Sequence, residues 1–193
     1  MALSDLIKKI SSFFSSSEGQ KLKNELKKQT KTFTFESLPT TLAELQALPE
    51  AKLDDPFKAA ALTVLALNAY AANADAGAEM LNFLKGPKPL TPADKQFLRD
   101  RFMDGKTYVP ISYFAGTSPD NNYTPAQPYK LTINDNPYSY QDAGYATLWL
   151  TSSGADSQRQ VKLRKKGSTG EWFLWEQYLL PDIRQPKAAD PWA

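Results

Sequence analysis

DDPFKAAALTVLALNAYAAN, Asp54 to Asn73, is the most apolar run of the chain, and its reading decides the fold. A carboxylate at Asp54 or Asp55 is a good helix N-cap, because it accepts hydrogen bonds from the free N–H groups of a first turn. Pro56 suits the position that follows, where its missing N–H costs nothing. Phe57, Ala60, Ala61, Val64, Leu65 and Leu67 then spread apolar groups round nearly every face, with alanines between them. A helix apolar on all sides is buried, not laid on a surface. Lys58, Asn68 and Asn73 interrupt the run, and it falls short of the ~20 strongly apolar residues of a membrane span. The stretch therefore predicts a central helix near residues 56–74, with the other elements packed on it.

Upstream, Thr41-Leu-Ala-Glu44 has the form of a capping box and opens a short helix that stops at Pro49. Thr32 to Phe35 alternates as a short strand or an extended lead-in. Downstream, Asp75 and Gly77 suggest a break and a recapped helix through Met80, Leu81 and Leu84, closed by Gly86-Pro87. Thr91-Pro92-Ala93-Asp94 starts another, with Phe97, Leu98 and Phe102 on one face. From Thr107 the texture turns to strands: Tyr108 to Phe114, interrupted by Pro110, then Tyr129 to Ile133, Tyr145 to Thr151, Gln160 to Lys165 and Trp172 to Glu176. KGSTG, Lys166 to Gly170, reads as a five-residue hairpin loop. Its simplest register pairs Lys165 with Glu171, Leu163 with Phe173 and Val161 with Trp175, and sets Arg164 against Trp172 as a cation–π pair. Trp192 suggests a tail that docks back on the body. The expected fold is α+β: a helical layer on a curved antiparallel sheet of about four to five strands.

The N-terminus reads separately. Leu3, Leu6, Ile7, Ile10, Phe13 and Phe14 form one apolar stripe at helical spacing, with Lys8 and Lys9 off it. Residues 1–32 carry seven lysines against three acidic residues, net +4, and the rest of the chain stands at −2. The chain divides into a basic amphipathic arm, 1–31, and one α+β domain, 32–193. Residues 3–14 can serve the body, a second copy or an anionic membrane surface. A near-neutral body argues against a nucleic-acid-binding domain. MALSDLIKKISSFF lacks the apolar core and cleavage site of a secretory signal, so a cytoplasmic protein is expected.

The chain contains no cysteine and no histidine. Thiol nucleophiles, Cys-type zinc sites, the commonest general base and the commonest transition-metal ligand are thereby removed. No Gly-rich phosphate loop and no nucleophile elbow is present, and no cofactor or metal is expected. The Asn/Asp-rich loops at Pro119 to Asn122 and Asn134 to Asn136 lack the ligand spacing of a calcium loop and read as turns.

The constellation that stands out is aromatic. Tyr113, Tyr123, Tyr129, Tyr138 and Tyr140 crowd one third of the chain, with Tyr108, Phe114 and Tyr145 among them. With Trp149, Lys162, Arg164 and Trp172 on a sheet face, they are candidates to bind a protein, peptide, glycan or small ligand. The same tyrosines serve equally as anchors for loops covering that face. The function expected is non-catalytic binding or scaffolding; the rival is a cone-shaped pocket using Asp135 or Asp142 as base.

YFAGTSPDNNYTP (Tyr113 to Pro125), SSGADSQRQVKLRKKG (Ser152 to Gly167), WFLWEQYLLPDIRQP (Trp172 to Pro186) and the terminal DPWA resemble a domain family of gut Firmicutes of unknown function, over Phe33 to Ala193. The resemblance implies a bacterial source and no mechanism. The order of helices followed by an antiparallel sheet is similar to nuclear-transport-factor-2-like folds, whose members often hold a cone-shaped pocket.

Overall fold

A computed structural model describes residues 3–16 and 28–192. Helix α1 is Leu3–Ser15, β1 Thr30–Phe35, α2 Leu42–Ala47, α3 Pro56–Ala72, α4 Ala74–Lys85, α5 Pro92–Phe102 and α6 Tyr108–Ile111. Strands β2 Tyr129–Asn134, β3 Tyr145–Leu150, β4 Arg159–Lys165 and β5 Trp172–Gln177 follow. The five strands form one open antiparallel sheet in sequence order, with β1 and β5 at its edges. The fold is α+β, as the sequence pattern predicts.

Helix α3 is the element that the body encloses. Twelve of its seventeen residues are buried, so no face is left to solvent along its middle. Asp55 is its cap: the carboxylate accepts the Phe57 N–H at 2.9 Å. Asp54 instead pairs with Lys58 one turn on. The buried Thr63 hydroxyl donates to the Ala59 carbonyl, which satisfies the one polar side chain in the enclosed stretch. The helix touches α4, α6 and strands β2 to β5. Alanine and glycine permit that density. A Cβ placed on Gly77 of α4 would come within 2.2 Å of the Tyr70 Cα.

Several expectations are corrected. The helix break falls at Asn73, whose side chain caps α4 through the Asp75 and Ala76 N–H groups, not at Asp75 or Gly77. Thr41 caps α2 by accepting the Glu44 N–H as expected, but the Glu44 carboxylate reaches back to the Thr40 N–H, one residue before the cap. Tyr108 to Phe114 is not a strand. It begins as the short helix α6, which buries Val109 and Pro110, and only Phe114 bridges to the sheet, opposite Leu131. Pro110, which has no N–H for a ladder, fits a helical turn. Thr30 and Lys31, at the end of the stretch read as the arm, pair with Asn134 and Ile133 in the sheet.

The β4–β5 register also differs. Lys165 pairs with Trp172, Arg164 with Phe173 and Leu163 with Leu174; a bulge then lets Lys162 face Glu176 and Val161 face Gln177. The turn closes through the Lys166 N–H to the Glu171 carbonyl, making the loop one residue longer than KGSTG alone. Leucine, not an aromatic ring, thereby fills the core position on β5: Leu174 is buried while Phe173 and Trp175 are half-exposed. Trp192 is 94% exposed. The tail docks through Leu179, Leu180 and Ile183 instead. No helix among the described residues is long and apolar enough to cross a membrane.

Candidate functional site

The nine candidate residues are distributed over separate places. Tyr113 and Tyr123 are buried and face the tail, the Tyr113 hydroxyl donating to the Leu179 carbonyl and that of Tyr123 to the Arg184 carbonyl. Tyr123 also stacks on Tyr108 at 5.3 Å between ring centres, and its backbone is left-handed at φ 56°. Gly154 makes room for its tip, since a Cβ there would lie 2.2 Å from the Tyr123 hydroxyl. These two rings clamp the C-terminal segment. Burial pushes both phenols up, Tyr123 to about 12.

Tyr129 is half-buried and meets Phe114 edge-on. Tyr138 is 67% exposed in the turn after β2, and Tyr140 is partly exposed beside it. Burial and then the neighbouring Asp135 raise Tyr140 to about 12. Trp149 lies on the outer face of β3, opposite Gln160. Trp172 stands at the start of β5, its N–H bonded to the Leu53 carbonyl and the Lys165 ammonium 5.7 Å from its ring.

Of the nine, Lys162 and Arg164 share one cluster, together with Tyr145 of the same aromatic run and with Trp175 and Lys88, which the sequence reading does not place at a site. Tyr145 pairs with Arg164 across β3 and β4 and meets the Trp175 ring edge-on at 5.7 Å. The Arg164 guanidinium lies 4.8 Å from the centre of the Trp175 ring and 5.5 Å from that of Tyr145. Lys162 sits 4.9 Å from the Tyr145 ring and pairs with Asp142. From the far side of the edge strand, Lys88 brings its ammonium to 4.8 Å from the Trp175 ring. The cause is local: α4 ends at Gly86, where an added Cβ would lie 2.4 Å from the Phe173 ring, so the following loop runs close along the edge of β5. Between that loop and the β4–β5 hairpin lies a cleft of about 310 Å³, with Pro87, Phe173, Leu174 and Trp175 as apolar lining.

Trp175 was hidden in the sequence because a loop of KGSTG alone pairs it with the core residue Val161, whereas the longer loop sets Leu174 in the core and Trp175 on the outer face. The signal that could expose it is the crowding Trp172-Phe173-Leu174-Trp175, in which strict alternation cannot bury every large ring.

The two carboxylates that could act as bases have other duties. Asp135 is buried, and burial raises its pKa. It accepts the Gln29 N–H, while its own N–H donates to the Gln29 carbonyl, so it pins the lead-in to β1. Asp142 is exposed and paired with Lys162. The loop at Pro119 to Asn122 is a hydrogen-bonded turn, in which the Asn121 side chain bonds the Ser118 N–H and the Gly116 and Thr124 carbonyls. Among the described residues no group of three acidic side chains is placed to hold a metal.

The family described as Domain of unknown function (DUF6935) matches residues 37–187, and the chain belongs to that family. No curated protein and no solved structure matches the chain. The matched span includes the cleft beside Trp175; α1 lies outside it.

Proposed function

We propose that this member of the DUF6935 family is a non-catalytic binding domain whose recognition surface is the outer sheet face around Tyr145, Arg164 and Trp175. The observation that carries this reading is the stacking of Lys88 and Arg164 on the half-exposed Trp175 ring beside an open cleft. Trp and Arg dominate binding energy where they occur together, because each combines a large flat surface with a directional polar group. Cations laid on a ring also lose less freedom on binding than cations free in solvent. Asp135 and Asp142 do not line the cleft, which weighs against the hydrolytic reading.

The test is an array of peptides, glycans and small ligands probed with the intact chain and with Arg164→Gln. Ligands of this surface should be lost in the variant while its melting temperature stays unchanged. Hits indifferent to Arg164→Gln would move the site elsewhere.

A second reading concerns α1. Leu6, Ile7, Ile10 and Phe13 are between 46% and 58% exposed, with Lys8 and Lys9 alongside. A basic amphipathic helix of this kind suits an anionic lipid surface. Flotation with anionic vesicles should carry the full chain and leave behind a chain lacking residues 1–16. Equal flotation of both would end this reading.

A further inference from the structure

The charge around the cleft is one-sided. Lys85, Lys88, Arg164, Lys165 and Lys166 line it, and no Asp or Glu does. Among the described residues, none of these five cations is within 4.0 Å of a carboxylate. Like charges gathered against an apolar wall repel; aromatic rings and, for Lys85, the Trp175 carbonyl face them, but no carboxylate stands within ion-pair distance to offset the repulsion. An anion bound there would do so, in a recess whose apolar wall strengthens each attraction relative to open water.

The extent of the positive region limits what that anion can be. The neighbouring groove shares Lys85, Leu174 and Trp175 with the cleft but carries Asp94 and Glu176. On the other flank Asp142 neutralises Lys162. The cations therefore ring a recess and do not form a track. A volume of about 310 Å³ stands at the lower end of small-molecule sites. A long nucleic-acid backbone would leave this patch within a few phosphates and meet carboxylates.

We infer that the cleft binds a small, multiply charged phosphate compound, its phosphates held by the lysines and Arg164 and its remainder lying against Phe173 and Trp175. This assignment rests on the binding surface proposed above and names its ligand class. Arg164 offers a planar fork suited to two phosphate oxygens, and the lysines act as point charges round it. Lys88 belongs to the loop that wraps the strand edge, so the loop supplies one wall of the site.

The experiment is isothermal titration of the full chain at low ionic strength with inorganic tripolyphosphate and with ATP, which separate a bare phosphate chain from one attached to a flat ring. At least one should bind saturably at one site per chain. Lys88→Gln with Lys165→Gln should weaken it tenfold or more, and the exposed Lys106→Gln should not. If the double variant melts early, the single Lys88→Gln, on an exposed loop, should still show a severalfold loss. Absence of saturable binding by both probes overturns the assignment, as does binding unaffected by these variants. Tighter binding of a single-stranded oligonucleotide than of either probe overturns it too. If both probes fail while a neutral ligand still binds in an Arg164-dependent way, the surface stands and only the phosphate assignment falls.

Discussion

Gly77 and Tyr70 face each other across the α3–α4 corner so closely that a Cβ on the glycine would lie 2.2 Å from the tyrosine Cα. Asn73 serves both helices there, ending α3 and capping α4. The corner is therefore tight because backbone meets backbone. Gly77→Ala should gain about 1 kcal/mol of helix propensity and still lose stability, by about 1–3 kcal/mol net, because backbone and not a flexible tip must yield. Gly167→Ala, where an added Cβ meets nothing within 4 Å, is the control and should be near neutral in urea unfolding.

Leu65 is fully buried at the middle of α3. Leu65→Ala should cost ~2–5 kcal/mol, the span depending on how far the neighbours collapse into the space. A loss near zero in denaturant unfolding would remove α3 from the centre of the core.

Tyr123 of the tail clamp and Tyr140 beside Asp135 give an alkaline signature. Burial and the adjacent Tyr108 phenol hold Tyr123 at about 12, and burial with Asp135 holds Tyr140 at about 12, against an ordinary 10.0. The unfolded phenols release their protons first, so the folded state binds more protons above pH 10. The stability gained this way is complete below pH 10 and is lost as pH rises from about 10 to about 12. Urea midpoints measured across that window should fall, and Tyr123→Phe should flatten the fall. The same variant should cost about 0.5–1.5 kcal/mol at neutral pH, through the lost hydrogen bond to the Arg184 carbonyl.

The N-terminal boundary can be set by truncation. Removing residues 1–16 should leave the thermal midpoint nearly unchanged, since the side chains described on α1 are exposed. Removing residues 1–31 takes the start of β1, the Lys31–Asp55 pair and the Gln29 backbone that serves Asp135. A buried carboxylate left without its partner costs about 1–3 kcal/mol, and that lowers the midpoint by roughly 2–4 °C per kcal/mol in a chain of this size. Equal midpoints for the two truncations would place the boundary after Lys31.

The helix at Pro56 was legible from residues alone because its evidence is local: a carboxylate, a proline at the first turn and apolar groups on every side. Strands β3 and β4 were legible for the same reason, each alternating Ala146, Leu148 and Leu150, or Val161 and Leu163, against polar or aromatic neighbours. The absence of His and Cys likewise limited the chemistry before any coordinate. Tertiary structure decided what depends on a partner distant in sequence. The loop between β4 and β5, one residue longer than KGSTG, shifts their register, and that shift turns the Trp175 ring from the core to the surface. Lys88 and Arg164 lie 76 positions apart and share a ring only because the loop after α4 wraps the free edge of β5. Tyr113 and Tyr123 resemble recognition residues in composition, and become anchors because the tail offers each a backbone carbonyl. Local hydrogen bonding and periodicity are written in neighbouring residues; the meeting of side chains across a sheet edge is not.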